Sequence, residues 1–219
     1  MRNLRLYKTG RLKEYLRKKN LGAAGSFTLK NLCDPEFPLY FILRNLNWLQ
    51  RENWWKALPL RSRRVRAAIL IQERIAFFRE VKQWKQWRGA LSAPSPGAGT
   101  KRTEAPGYCN KCGLCCEVAS GMPDFPGSCE IPRRWRAIFG NGLGRGHRFC
   151  PFLWEDEDSG GSLCSIYPWR SNPCRLFESE ECDFFWNNPE PAQISSEKNL
   201  LMMMRWLANL VNGRKQMHL

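Results

Sequence analysis

Four cysteines fall within eight residues, Cys109-Asn110-Lys111-Cys112-Gly113-Leu114-Cys115-Cys116. Three thiols recur at two-residue intervals and a fourth abuts the last. Core packing gives cysteine no reason to keep such a spacing. A short loop containing glycine can instead turn several sulfurs toward one centre, which is what a soft metal requires. The chemistry written into this segment is chelation by thiolates.

More sulfurs follow at Cys129, Cys150, Cys164, Cys174 and Cys182, with Cys33 alone far upstream. Cys150 sits in Arg148-Phe149-Cys150-Pro151-Phe152-Leu153. Cys164 and Cys174 bracket Cys164-Ser165-Ile166-Tyr167-Pro168-Trp169-Arg170-Ser171-Asn172-Pro173-Cys174-Arg175. Turn-prone segments separate these residues, so the fold must carry them back to the first cluster. Eight cysteines lie between Cys109 and Cys174, enough for two four-thiolate sites or for one site with thiols left over. The candidate ligands are Cys109, Cys112, Cys115, Cys116, Cys150, Cys164 and Cys174. Cys129 and Cys182 stay open as ligands or bystanders. Cys33 reads as a small buried hydrophobe, and His147 as a solvated loop histidine.

In this order the motifs resemble the CxxCxxCC cysteine-cluster family, the YkgJ-type zinc- or iron-chelating domain. The resemblance rests on Cys109, Cys112, Cys115 and Cys116, on Cys150 before an apolar pair, and on the Cys164-x-Ile166-Tyr167-x-x-Arg170 run that ends in Pro173-Cys174-Arg175. It spans Tyr108 to about Phe177, and Ser171 stands where the family usually has proline. The resemblance implies metal chelation by these thiols and no particular reaction. It also favours Arg170 and Arg175 as charges that offset the anionic sulfurs, over a surface ion pair with Glu178 or Glu180.

Zinc takes four thiolates or mixes thiolate with imidazole. Only two histidines are present, His147 and His218, so mixed sites have little material. Bacterial iron–sulfur proteins use three cysteines at two-residue spacing plus a remote cysteine followed by proline. Cys109, Cys112, Cys115 and Cys150-Pro151 follow that logic with a longer gap. A 4Fe–4S cluster is therefore the expected cofactor, with zinc as the alternative. Glu155-Asp156-Glu157-Asp158 lacks calcium-loop spacing and reads as a solvated loop.

The elements that must position these thiols divide the chain by charge. Residues 1–90 hold 21 Lys and Arg against 6 Asp and Glu, whereas residues 91–219 hold 14 of each sign. That asymmetry argues for two regions with different tasks. The expected division is a basic, aromatic-rich helical region over 1–90, a Pro/Gly/Ser linker over 91–107, and a cysteine-cluster domain with a C-terminal helix over 108–219. Residues 1–20 predict a helix with Leu12, Tyr15 and Leu16 on one side. Pro59 separates an aromatic stretch, Phe37 to Leu58, from a long helix running from Arg61 to about Trp87. On that helix Val65, Ala68, Ile69, Ile75 and Ala76 form an apolar stripe, with Ile71 and Phe78 on its flank and Arg63, Arg66, Glu73 and Arg74 elsewhere. A last helix spans Ser195 to Asn212, with Leu200, Met203, Met204, Leu207, Leu210 and Val211 inward and Gly213 at its end.

The expected fold class is mostly α, with an irregular, metal-stabilised cysteine-rich domain and at most short strands there. No apolar run is long enough to span a bilayer, and no signal-peptide core precedes the cysteines, so reduced thiols and a cytoplasmic location are expected. The basic helices suit a protein partner. Nucleic acid, with Trp54, Trp55, Trp84 or Trp87 stacking on bases, and an anionic membrane surface are the other readings of the same cations. The bland reading is that the aromatics build a core and the cations are its solvated face. No Gly-rich cofactor fingerprint and no nucleophile–base pair is present, so an enzyme that uses the cluster has no catalytic residue to name.

Overall fold

The computed structural model describes residues 2–19, 27–91, 111–113, 115–118, 131–157, 161–169, 174, 178–187 and 197–211. Over these residues the chain is mostly helical with one small two-stranded sheet. The helices are α1 (Arg2–Lys19), α2 (Phe27–Leu32), α3 (Leu39–Leu49), α4 (Asn53–Lys56), α5 (Leu60–Leu91), α6 (Cys115–Val118), α7 (Arg133–Asn141), α8 (Ser179–Asn187) and α9 (Glu197–Val211). Strands β1 (Leu153–Glu155) and β2 (Ser162–Cys164) pair, and a 3-10 turn, Tyr167–Trp169, follows. Of the expected linker, residues 92–107 lie outside the described ones.

Two compact units emerge, each discontinuous in sequence. The first comprises residues 1–75, 155–160 and 190–219; the second comprises 76–154 and 161–189.

In the first unit α3 is the central element. Its sequence, Leu-Tyr-Phe-Ile-Leu-Arg-Asn-Leu-Asn-Trp-Leu, sets Leu39, Ile42, Leu43, Leu46 and Leu49 on one side, and Arg44, Asn45 and Asn47 are buried as well, so the helix is enclosed. Phe41, Ile42, Leu43 and Leu46 are fully buried. Helix α9 packs on both α1 and α3, and α1 also meets α2 and α3. Met203, Met204, Leu207 and Ala208 supply the inward side of α9, close to the expected set, while Leu210 and Val211 are half-buried. On α1, Leu12 and Leu16 are buried as their spacing predicts. Lys13 between them is buried as well, which the sequence pattern does not announce.

Helix α5 departs from expectation. Its enclosed positions are Ala67, Leu70, Ile71, Arg74, Ile75, Phe77, Phe78 and Val81. Val65 and Ile69 are instead 52% and 51% exposed. Leu70, Phe77 and Phe78 remove more apolar area from water than Val65, Ala68 and Ala76 could, so the helix turns that side inward. Arg74, expected outside, goes in with them.

The second unit is built around aromatics. Trp135 on α7 meets Phe77 at 5.8 Å, Trp84 at 5.2 Å and Phe152 at 5.7 Å between ring centroids. Glu80 on α5 accepts hydrogen bonds from Arg134 Nε and Trp135 Nε1, and also pairs with the Arg134 guanidinium through its second oxygen. That carboxylate satisfies the indole N–H of a side chain with no exposed surface. Gly142, with φ at 71°, ends α7 in the left-handed region that favours glycine.

Candidate metal centre

The thiol-bearing loops are tied together through the backbone. Cys150 donates its N–H to the Cys116 carbonyl at 2.7 Å, and Ser162 on β2 donates to the Lys111 carbonyl at 2.7 Å. The first cysteine loop is thereby fastened at one end to the Cys150 turn and at the other to the strand that ends in Cys164. Inside that loop Lys111 and Gly113 both have positive φ, 55° and 77°. Gly113 takes this conformation at no steric cost. Lys111 does so at a cost of about 1–2 kcal/mol, held by the bond that Ser162 donates. Cys116 then donates its N–H to the Gly113 carbonyl at 3.1 Å, which closes the turn that opens α6.

These bonds gather the sulfurs of Cys115, Cys116, Cys150 and Cys164. A hydrogen bond with Cys115 is the foremost cause that holds the Cys116 thiol well above the usual thiol range. Burial follows, and then the neighbouring Cys115, Cys150 and Cys164 sulfurs act on it. A thiol raised in this way by burial and by neighbouring sulfurs resists becoming an anion by itself. A cation would reverse that resistance, since metal ligation requires the thiolate and a bound cation favours it. Nonetheless, among the described residues no three Cys, His, Asp or Glu side chains stand close enough to hold one metal ion. The sulfurs lie within electrostatic reach of Cys116 without converging on one point.

The sequence-derived ligands divide accordingly. Cys115, Cys150 and Cys164 lie within electrostatic reach of Cys116. Cys112 lies in the same loop, between the two left-handed residues, and is half-buried. Cys174 is a half-buried free thiol in the second unit, as is Cys182 on α8. Cys109, Cys129, Arg170 and Arg175 lie outside the described residues. All eight described cysteines are free thiols. His147 donates its backbone N–H to the Gly144 carbonyl in the loop before Cys150.

The aromatic core braces these loops. Phe152 stacks on Phe139 and meets Phe77 edge-on at 5.1 Å, and its carbonyl accepts the N–H of Ser165 at 2.9 Å. Trp169 stands 5.3 Å from Trp84. The residues adjoining Cys150 and Cys164 are thus anchored on α5 and α7. Sequence reading names candidate ligands by spacing but misses Lys111, Ser162 and Glu80, whose positioning roles depend on partners far away in the chain. Only the glycine at 113 signals a sharp turn.

Two expectations change here. The acidic run is no solvated loop at its start. Glu155 is 2% exposed, and its Oε1 accepts the N–H of Tyr40 in the first turn of α3 at 3.0 Å. Glu157 pairs with Lys13 at 3.7 Å and Arg17 at 4.0 Å. Two of the tryptophans offered for base stacking, Trp55 and Trp84, are also engaged elsewhere. Trp55 is 1% exposed, and Trp84 is wedged against Trp135 and Trp169.

No helix among the described residues is long and apolar enough to cross a membrane. No protein-family model, no curated protein and no solved structure matches the chain.

Proposed function

We propose that this chain is a metal-binding cysteine-cluster protein that holds a 4Fe–4S cluster through its thiolates, in a structural or redox role, and docks to a protein partner through its basic helices. The observation that supports the metal reading is the pair of backbone bonds that fasten the first cysteine loop to the later thiol-bearing segments, Cys150 N–H to the Cys116 carbonyl and Ser162 N–H to the Lys111 carbonyl. The donor set fits, because these are sulfur ligands with almost no imidazole nearby. Cys109, Cys112, Cys115 and Cys150 would be the first choice of ligands, with Cys116, Cys164 and Cys174 completing or surrounding the site. When bound, such a cluster supplies one-electron chemistry or a rigid cross-link between loops. The chain's own residues orient the sulfurs: the left-handed Lys111–Gly113 turn aims the first loop, and Phe152 and Trp169 brace the later ones.

Anaerobic purification followed by iron, zinc and sulfide analysis tests this reading. Brown protein with iron and acid-labile sulfide is expected, and Cys112→Ser or Cys115→Ser should abolish retention while Cys33→Ser leaves it unchanged. Colourless protein with stoichiometric zinc would replace the cluster by a zinc site. A folded protein that contains neither metal would end the proposal.

A further inference from the structure

Helix α5 turns its best-buried side inward and leaves an apolar ridge outside. Val65 and Ile69, one turn apart, are each about half exposed in the N-terminal third of the helix. With Gln72 and Ala76, both exposed, they fall at intervals of four, three and four residues, the seam of a two-helix contact. Gln72 spans to α2, where its amide donates to Thr28 Oγ1 at 2.9 Å, so the apolar part of the seam is Val65–Ile69. Arg61, one turn before Val65, and Arg66, one turn before Ile69, flank it; both are exposed and neither makes an ion pair among the described residues.

We infer that this ridge docks an acidic amphipathic helix of a protein partner, with apolar residues seated on Val65 and Ile69 and carboxylates against Arg61 and Arg66. The inference names the occupant for the docking half of the function proposed above and is independent of the metal. Charge complementarity selects the occupant. A second copy would set arginine against arginine across the seam. An anionic membrane surface calls for a broad apolar face with aromatic or leucine anchors. Here the ridge is one residue wide and carries no aromatic. Nucleic acid has no use for exposed valine and isoleucine.

The test uses the full-length protein and four probes, read by fluorescence anisotropy or sedimentation. They are a three-heptad peptide with Leu at a and d and Glu at e and g, the same peptide with Lys at e and g, phosphatidylserine vesicles, and the protein's own self-association. The Glu peptide should bind and the Lys peptide should not. V65D/I69D should weaken the Glu peptide by about tenfold or more. R61E/R66E should transfer preference to the Lys peptide. All four positions are at the surface, so the variants should keep the wild-type melting temperature and iron content. Failure of the Glu peptide to bind, equal binding of both peptides, vesicle binding that depends on Val65 and Ile69, or a dimer dissolved by V65D/I69D would each overturn the inference. Glu-peptide binding that ignores V65D/I69D but is lost on reversing Arg11, Lys18 and Lys30 would overturn the ridge while leaving basic-region docking intact.

Discussion

Cys150 gives its backbone N–H to the carbonyl of Cys116 at 2.7 Å, so two cysteines far apart in sequence are joined by main chain as well as by the proximity of their thiols. Were metal to cross-link these loops, opening them would require breaking both links together. Hydrogen exchange measures this directly. In metal-loaded protein the amides of Cys116, Cys150 and Ser162 should be protected, and chelation should speed their exchange by about tenfold or more. Unchanged protection would mean that the aromatic core alone holds the loops.

Glu155 caps a helix to which it is not adjacent in sequence. Pro38 at the N-cap of α3 offers no side-chain acceptor, and Glu155 Oε1 instead receives the Tyr40 N–H. The carboxylate also lies at the positive end of the α3 dipole. Its own N–H donates to the Glu36 carbonyl at 3.0 Å. Glu155→Ala should therefore lower the unfolding free energy by about 1–2 kcal/mol, the range for losing a cap. Glu155→Gln keeps an acceptor and should lose less. Urea denaturation followed by circular dichroism would separate the two, and equal losses would show that charge alone matters.

Lys13 is enclosed, with its Nζ donating to the Pro35 carbonyl at 2.9 Å. Burial draws its pKa below the ordinary lysine value, Glu155, Glu157 and Asp34 pull it back up, and Arg17 adds to the lowering. Between the folded value and the ordinary one, the unfolded chain keeps a proton that the native state has released. Stability should then rise with pH across that alkaline window, and below it the group contributes only its desolvation penalty. Cys33, beside it, titrates with the opposite effect, so the comparison belongs in a Cys33→Ser background. There, the stability of the Lys13 protein relative to Lys13→Met/Glu157→Gln should climb as pH approaches the ordinary lysine value. A falling difference would show that the carboxylates outweigh burial.

The contrast between α9 and α5 shows what a sequence can and cannot disclose. Helix α9 has one apolar side, and spacing alone finds Met203, Met204 and Leu207. Helix α5 has apolar residues on several sides, so periodicity admits more than one answer and the bulk of Leu70, Phe77 and Phe78 decides. The cysteine spacing and the motifs around the later cysteines mark Cys109, Cys112, Cys115, Cys116, Cys150, Cys164 and Cys174 as candidates, because ligand chemistry constrains residue type. Lys13 and Glu155 are illegible for the opposite reason. A charged residue goes inside only when a distant partner meets it, and nothing local encodes that meeting.

Trp135 should be the costliest side chain to remove from the second unit. It has no exposed surface, three aromatic rings around it and its indole N–H on Glu80. Truncation to alanine should cost about 3–5 kcal/mol. Glu80→Ala should cost less, since it strands the indole N–H and the Arg134 charge without opening a cavity among the rings. If Glu80→Ala matched Trp135→Ala, the carboxylate rather than the aromatic packing would be holding α7 on α5.

Cys33 offers an internal reference for the metal chemistry. Its thiol is buried beside the Lys13 carbonyl, to which Sγ donates at 3.8 Å. Burial pushes its pKa up, against the pull of Arg17 and Lys13. Only the thiolate attacks an alkylating reagent, so Cys33 should stay unmodified in native protein at neutral pH and react on unfolding. The half-buried thiols of Cys112, Cys174 and Cys182 are reachable and should alkylate in metal-free protein. Metal loading should then protect the ligands selectively, leaving Cys33 unreactive in both states. Mass spectrometry after timed alkylation gives each site separately: sulfurs whose labelling falls on loading are ligands or lie beside them, and those that label equally are not. Rapid native labelling of Cys33 would show that the first unit opens locally near α1 and α2, and would remove it as a reference.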